Sequence, residues 1–155
     1  MITSGLYTSN DQTWGTPQSL FDELNKEFNF TLDPCCVKET AKCDKYYTPS
    51  ENGLIQDWSK DIVFVNPPYG REINKWVEKC YNECVNGSRV VMLIPARTDT
   101  SYFHKFIYPF SLDHSGQIIT EIRFLKGRVK FVKNGESGPA PFPSMIVIFN
   151  PKIST

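Results

Sequence analysis

At 155 residues and 40% apolar side chains, the chain is long enough for one domain with one core and too short for a second of comparable size. Its longest apolar runs fall well short of the about 20 residues that a membrane-spanning helix needs. The 17 basic and 17 acidic side chains cancel, yet residues 1–65 carry 5 basic against 10 acidic and residues 66–155 carry 12 against 7. Such a split fits a protein that binds a cation on one side and a polyanion on the other. The opening MITSGLYTSNDQTWGTP has neither a basic nor an apolar export segment, so a cytoplasmic protein is expected. Its five cysteines, an odd number, are then expected to stay reduced. None of their spacings is a paired zinc knuckle, and no metal site is expected.

Residues 1–13 read as a mobile arm that ends at Trp14, a side chain able to cover a pocket edge. Thr16 is placed as an N-cap with Pro17 at the first helical position. Leu20, Phe21, Leu24 and Phe28 then recur at helical spacing, which predicts a helix over 17–28. A short strand over 30–32 ends at Asp33-Pro34. The pair Cys35-Cys36 follows where a dinucleotide-binding fold would carry glycines for a pyrophosphate. A second short strand is expected over 46–48, then a loop through Asn52-Gly53. Asp57 lies shortly before the next strand, where a carboxylate could meet an adenine amino group.

The run Ile62-Val63-Phe64-Val65 predicts a buried strand, stopped by Asn66-Pro67-Pro68-Tyr69. Those four residues bring together an amide oxygen, a backbone carbonyl and an aromatic face. Asn66 and the carbonyl of Pro67 can each accept one proton of an aromatic amine, which withdraws the nitrogen lone pair from the ring, while Tyr69 stacks on the ring. The plain alternative is a proline-rich turn after a core strand. Beyond it, an amphipathic helix is expected over 73–85, a strand buried on both faces over 89–95, and a short helix over 102–107. Strands are expected over 120–124, 129–132 and 144–149, the last two joined by a loop over 133–143. The layout predicts a single α/β domain of the Rossmann-like methyltransferase type, with a mainly parallel sheet, an antiparallel C-terminal hairpin and helices on both faces.

The stretches WGTPQSLFDELN, FTLDPCC, KYYT, NGLIQDW, VFVNPPYGR, MLIPARTDTSYFH, EIRFLKGRVKF and APFPSMIVIF together resemble the phage-type DNA N6-adenine methyltransferase family. NPPY alone is also similar to relatives that act on RNA, cytosine or protein, so the specificity lies in the whole series. The resemblance implies S-adenosylmethionine as methyl donor and adenine in double-stranded DNA as acceptor. It also implies a phage or prophage protein acting in a bacterial cell, as a monomer or weak dimer. Asn66, Pro67, Pro68 and Tyr69 carry over as the catalytic motif. Asp33 carries over to the cofactor loop, with Trp14, Thr16, Pro17, Pro34, Cys35, Asp57 and Asn66 as further cofactor-binding candidates. In contrast to larger relatives, no separate target-recognition domain is expected in these 155 residues.

Arg123, Lys126, Arg128 and Lys130 interleave with Phe124 and Phe131, a pattern suited to phosphate contacts beside a flipped base and equally to a solvated strand face. Arg71 and Arg97, each just past a strand, are further nucleic-acid candidates, although Arg97 and Asp99 could instead brace their loop. No histidine is required by this chemistry, which leaves His104 and His114 as surface or structural residues. Two other functions fit the same residues: amino-methylation of RNA or protein, and an inactive subunit that only binds cofactor or DNA.

Overall fold

The structure is a computed structural model that describes residues 14–152, so the expected arm over 1–13 lies outside the described residues. The first helix, α1 (Gln18–Phe28), buries Phe21, Leu24 and Phe28, the apolar stripe that the spacing demands. Its start differs from the expected cap: Pro17 is itself the N-cap, and its carbonyl accepts from the N–H groups of Leu20 and Phe21. The Thr16 side chain is thereby left to face elsewhere. The helix stops at Asn29, which takes a left-handed conformation with φ of 57°.

Six strands form the main sheet in the order β2-β1-β3-β4-β8-β5. These are β1 (Leu32–Asp33), β2 (Lys45–Tyr46), β3 (Ile62–Val65), β4 (Arg89–Pro95), β5 (Ile118–Phe124) and β8 (Ser144–Pro151). β1 pairs in parallel with both β2 and β3, and β3 pairs in parallel with β4. β8 enters antiparallel between β4 and β5, with Val90 opposite Phe149 and Pro95 opposite Ser144. The sheet is therefore mainly parallel with one reversed strand, a Rossmann-like methyltransferase arrangement. The short first strands fall slightly later or earlier than the apolar runs suggest, at 32–33 and 45–46, since pairing partners and not composition set where a two-residue strand lies.

The sheet centre is dry. Every residue from Val90 to Ile94 and from Met145 to Phe149 is buried, each such side chain contributing about 1.5–3 kcal/mol. On β5, Thr120 donates to the carbonyl of Ile107, while Arg123 reaches Glu27 of α1. Residues three apart on a strand point to opposite faces, so α1 and the helical stretch near Ile107 cover opposite sides of the sheet. On that second side, Tyr81 of α2 (Ile73–Val85) packs on Phe106 and Phe110, and Cys80 and Cys84 are buried. The expected helix over 102–107 is a π-helical turn (Phe103–Ile107) that runs on into α3 (Tyr108–Leu112). Pro109 is the physical reason, because it has no N–H for the preceding turn and its ring crowds the carbonyl of Lys105.

The C-terminal third departs most from expectation. The loop expected over 133–143 contains a strand: β6 (Lys130–Lys133) and β7 (Glu136–Pro139) make a separate antiparallel hairpin inserted between β5 and β8. Asn134 and Gly135 turn it, both at positive φ, as a two-residue hairpin loop requires.

Candidate active site

Because β1, β3 and β4 run parallel, the residues that leave their C-terminal ends meet on one edge of the sheet: Asp33, Asn66 and Pro95. Asn66 is half-buried there, directly after β3. Its Nδ2 donates to Thr16 Oγ1 at 3.1 Å, and its Oδ1 accepts from the Tyr69 hydroxyl at 2.7 Å. The same hydroxyl lies 3.1 Å from the carbonyl oxygen of Leu93 on β4. The amide is thus oriented from both ends, which leaves one lone pair of Oδ1 unused by these bonds. Burial holds the Tyr69 phenol neutral, well above its ordinary pKa, so it acts on Asn66 as a donor.

Tyr69 presents no open face in this arrangement. It is 7% exposed, and Phe131 of β6 and Phe142 meet its ring edge-on with centroids 6.0 and 5.5 Å away. The hairpin is anchored to the start of the chain as well: Gly15 N–H donates to the Val132 carbonyl at 2.7 Å and Val132 N–H returns to Gly15 at 2.9 Å. That clasp holds Trp14, Gly15 and Thr16 beside Asn66.

Asp33 is buried, and its two carboxylate oxygens accept from the backbone N–H groups of Cys35 at 3.4 Å and Lys42 at 3.0 Å. Desolvation pushes its pKa up to about 7 against the pull of those donors. Burial likewise raises the Cys36 thiol, and the Cys43 thiol to about 12, so neither is a thiolate at neutral pH.

A crevice joins Asn66 to Trp14, Thr16, Asp33, Cys35 and Lys42. It shares Gly15, Thr16, Thr40 and Lys42 with a cavity of about 450 Å³ under the tip of the β6–β7 hairpin. A separate cavity of about 290 Å³ lies on the other side of the motif, between Pro34, Gly53, Pro68 and Trp76. Of the cofactor candidates named from sequence, Trp14, Thr16, Asp33, Cys35 and Asn66 come together in the crevice, whereas Pro34 lines the second cavity and Pro17 caps α1. Asp57 is not among them. Its exposed carboxylate accepts from the N–H of Ser59 at 2.8 Å.

Among the basic candidates, Arg97 is the one linked to the motif: its guanidinium lies 5.8 Å from the ring centroid of Phe142, which in turn touches Tyr69. Arg123 is engaged by Glu27 at 2.7 and 2.8 Å and by Glu121. Arg71, Lys126, Arg128 and Lys130 are exposed. His104 and His114 are exposed too and bind backbone carbonyls, of Thr98 and Ser111. Sequence reasoning missed Lys42, Glu39 and Phe142, and it named Phe131 only as interleaved with the basic run, whereas the structure sets it against Tyr69. Asn134-Gly135 was a legible hairpin signal for Phe131, but nothing local marks Lys42 or Glu39.

Comparison with known proteins agrees with this layout. A family model described as DNA N-6-adenine-methyltransferase (Dam) matches residues 3–154. The chain is also 41% identical, over 63 residues, to an Escherichia coli (strain K12) protein named "Putative methyltransferase YfdM", an alignment covering 36% of this chain and 69% of that protein. With nearly its whole length matched, the chain belongs to the Dam family of DNA N-6-adenine methyltransferases.

Proposed function

We propose that this chain transfers a methyl group from S-adenosylmethionine to the exocyclic amine of an adenine turned out of double-stranded DNA. The observation that carries the reading is the Asn66 amide, held by Thr16 and Tyr69 in a narrow crevice that shares Gly15, Thr16, Thr40 and Lys42 with the 450 Å³ cavity. S-adenosylmethionine, when bound, supplies an already activated methyl group on a positive sulfur. The protein's part is then alignment and control of the amine's protons. Asn66 Oδ1 and the Pro67 carbonyl would each accept a hydrogen bond from one amino N–H, which pulls the nitrogen lone pair out of the ring's π-system; when the nitrogen's bond to the methyl carbon replaces that carbon's bond to sulfur, the one proton the amine gives up leaves to water. The lining of the cavity suits the cofactor: Glu39, Lys42 and Lys133 offer both signs of charge to a ligand that carries both, and the crevice that shares Lys42 with it reaches Asn66, where the methyl must be delivered.

Adenine within a duplex keeps its amine inside the stack, so the base has to be extruded at a cost of a few kcal/mol. Tyr69 serves first through its hydroxyl, which fixes Asn66. Its ring becomes a stacking face once Phe131 and Phe142 give way, and Arg97 on Phe142 stands at the rim where the backbone of an extruded nucleotide would pass. Lys126, Arg128 and Lys130 are assigned to more distant phosphates. The test is incubation with methyl-labelled S-adenosylmethionine and unmethylated duplex DNA, RNA and a protein extract in parallel. Label in N6-methyladenine from the DNA is the expected result. Label only in RNA or protein would replace this substrate.

A further inference from the structure

Two hydroxyls hold the Asn66 amide, and they are not equivalent. The Tyr69 hydroxyl has one proton and two acceptors in reach, Asn66 Oδ1 at 2.7 Å and the Leu93 carbonyl at 3.1 Å, so it can be satisfied without Asn66. Its grip on the amide is contested. Thr16 Oγ1 takes the other end, accepting from Asn66 Nδ2 at 3.1 Å. An amide held at one end can still turn about its Cβ–Cγ bond, a broad and soft torsion in asparagine. Held at both ends, it keeps one plane.

Thr16 is suited to that task by its own immobility. It is 3% exposed, and the backbone is fixed on either side of it. Gly15 before it makes the two-way bridge to Val132, and the carbonyl of Pro17 after it accepts from Leu20 and Phe21 at the start of α1. A β-branched side chain is stiff at χ1, so a fixed backbone also sets the hydroxyl. Resting on the methyl-transfer reading above, we propose that Thr16 is a positioning residue, which fixes the plane in which Asn66 Oδ1 meets the target amine and acts on the rate through Asn66 and not as a contact to the cofactor.

The test is a double-mutant cycle read by single-turnover methyl transfer to unmethylated duplex DNA. Thr16→Val, which keeps the branched shape and loses the oxygen, should lower the transfer rate by about ten- to a hundredfold, the scale of a misplaced reacting group. Calorimetry should show its affinities for S-adenosylmethionine and for DNA unchanged. Thr16→Ser returns the acceptor and should restore most of the rate, while Thr16→Ala, which also lacks the oxygen, should lose as much as the valine variant and guards against a packing defect peculiar to valine. In the Asn66→Ala background Thr16→Val should cost nothing further, because a residue that acts through another has no effect once that other is gone. An unchanged rate, an equal loss in the serine and valine variants, weaker cofactor binding, or additive losses in the double variant each overturns the inference and leaves the methyl-transfer reading intact. Failure of wild type to methylate DNA overturns that reading and this inference together.

Discussion

Asn66→Ala is the most direct perturbation, because the side chain has two separable jobs. In the fold it joins Thr16 and Tyr69 through bonds of 3.1 and 2.7 Å. Losing them should cost about 1–2 kcal/mol of stability, the lower end being favoured because Tyr69 keeps the Leu93 carbonyl as a partner. In the proposed reaction it accepts a hydrogen bond from an amino N–H whose acidity rises only as the nitrogen attacks, so its removal should act on the transition state. The expected loss is roughly a hundred- to a thousandfold in the methylation rate, or about 3–4 kcal/mol, as for one oxyanion-hole donor, with cofactor affinity nearly unchanged. Asn66→Asp separates the two jobs: both neighbours are hydroxyls, which can rotate to donate, so the fold and an acceptor both survive. It should therefore retain more activity than the alanine variant. The assay is single-turnover transfer of labelled methyl to unmethylated duplex DNA, with denaturant unfolding and calorimetry run alongside. An alanine variant that folds and methylates at the wild-type rate would reduce the motif to a proline-rich turn.

Three further outcomes rest on the same geometry. The Asp33 carboxyl, raised from 3.8 to about 7 by burial, holds a proton in the folded chain that the unfolded chain releases. Its stabilising contribution is complete below about pH 4 and lost as pH rises through about 7. Urea unfolding should show roughly 2–3 kcal/mol less stability at about pH 8 than at about pH 5, and Asp33→Asn should remove that difference. An identical pH slope in the variant refutes the assignment. Replacing Arg128 and Lys130 by alanine should weaken DNA binding on all sequences alike and flatten the logarithmic salt dependence by about one unit for each phosphate no longer neutralised, whereas an unaltered slope marks a solvated face. Gly53→Ala would set a Cβ 2.0 Å from the Pro34 carbonyl oxygen. It should lower stability by about 1–3 kcal/mol in thermal unfolding, and an unchanged midpoint would show that the loop there yields freely.

The sequence by itself determined what depends on neighbours along the chain. The four apolar residues before Asn66 could only be a buried strand once two prolines barred its continuation, and the strand, the helix over 73–85 and the strand over 89–95 stand where periodicity puts them. The Asn66-Pro67-Pro68-Tyr69 motif was legible for the same reason, since its groups are contiguous. The hairpin β6–β7 was in principle legible from Asn134-Gly135, although a loop reading of 133–143 hid it. Only the tertiary structure decided that Thr16 serves Asn66 and not the helix that starts two residues later, because that bond spans 50 positions. It likewise decided that Phe131 and Phe142 close on Tyr69, that Arg123 is held by Glu27 of α1, and that Lys42 reaches the cleft while Asp57 does not. Periodicity and turn chemistry report a residue's immediate surroundings. A site assembled from the ends of separate strands is set by how the sheet is ordered, and no local pattern records that.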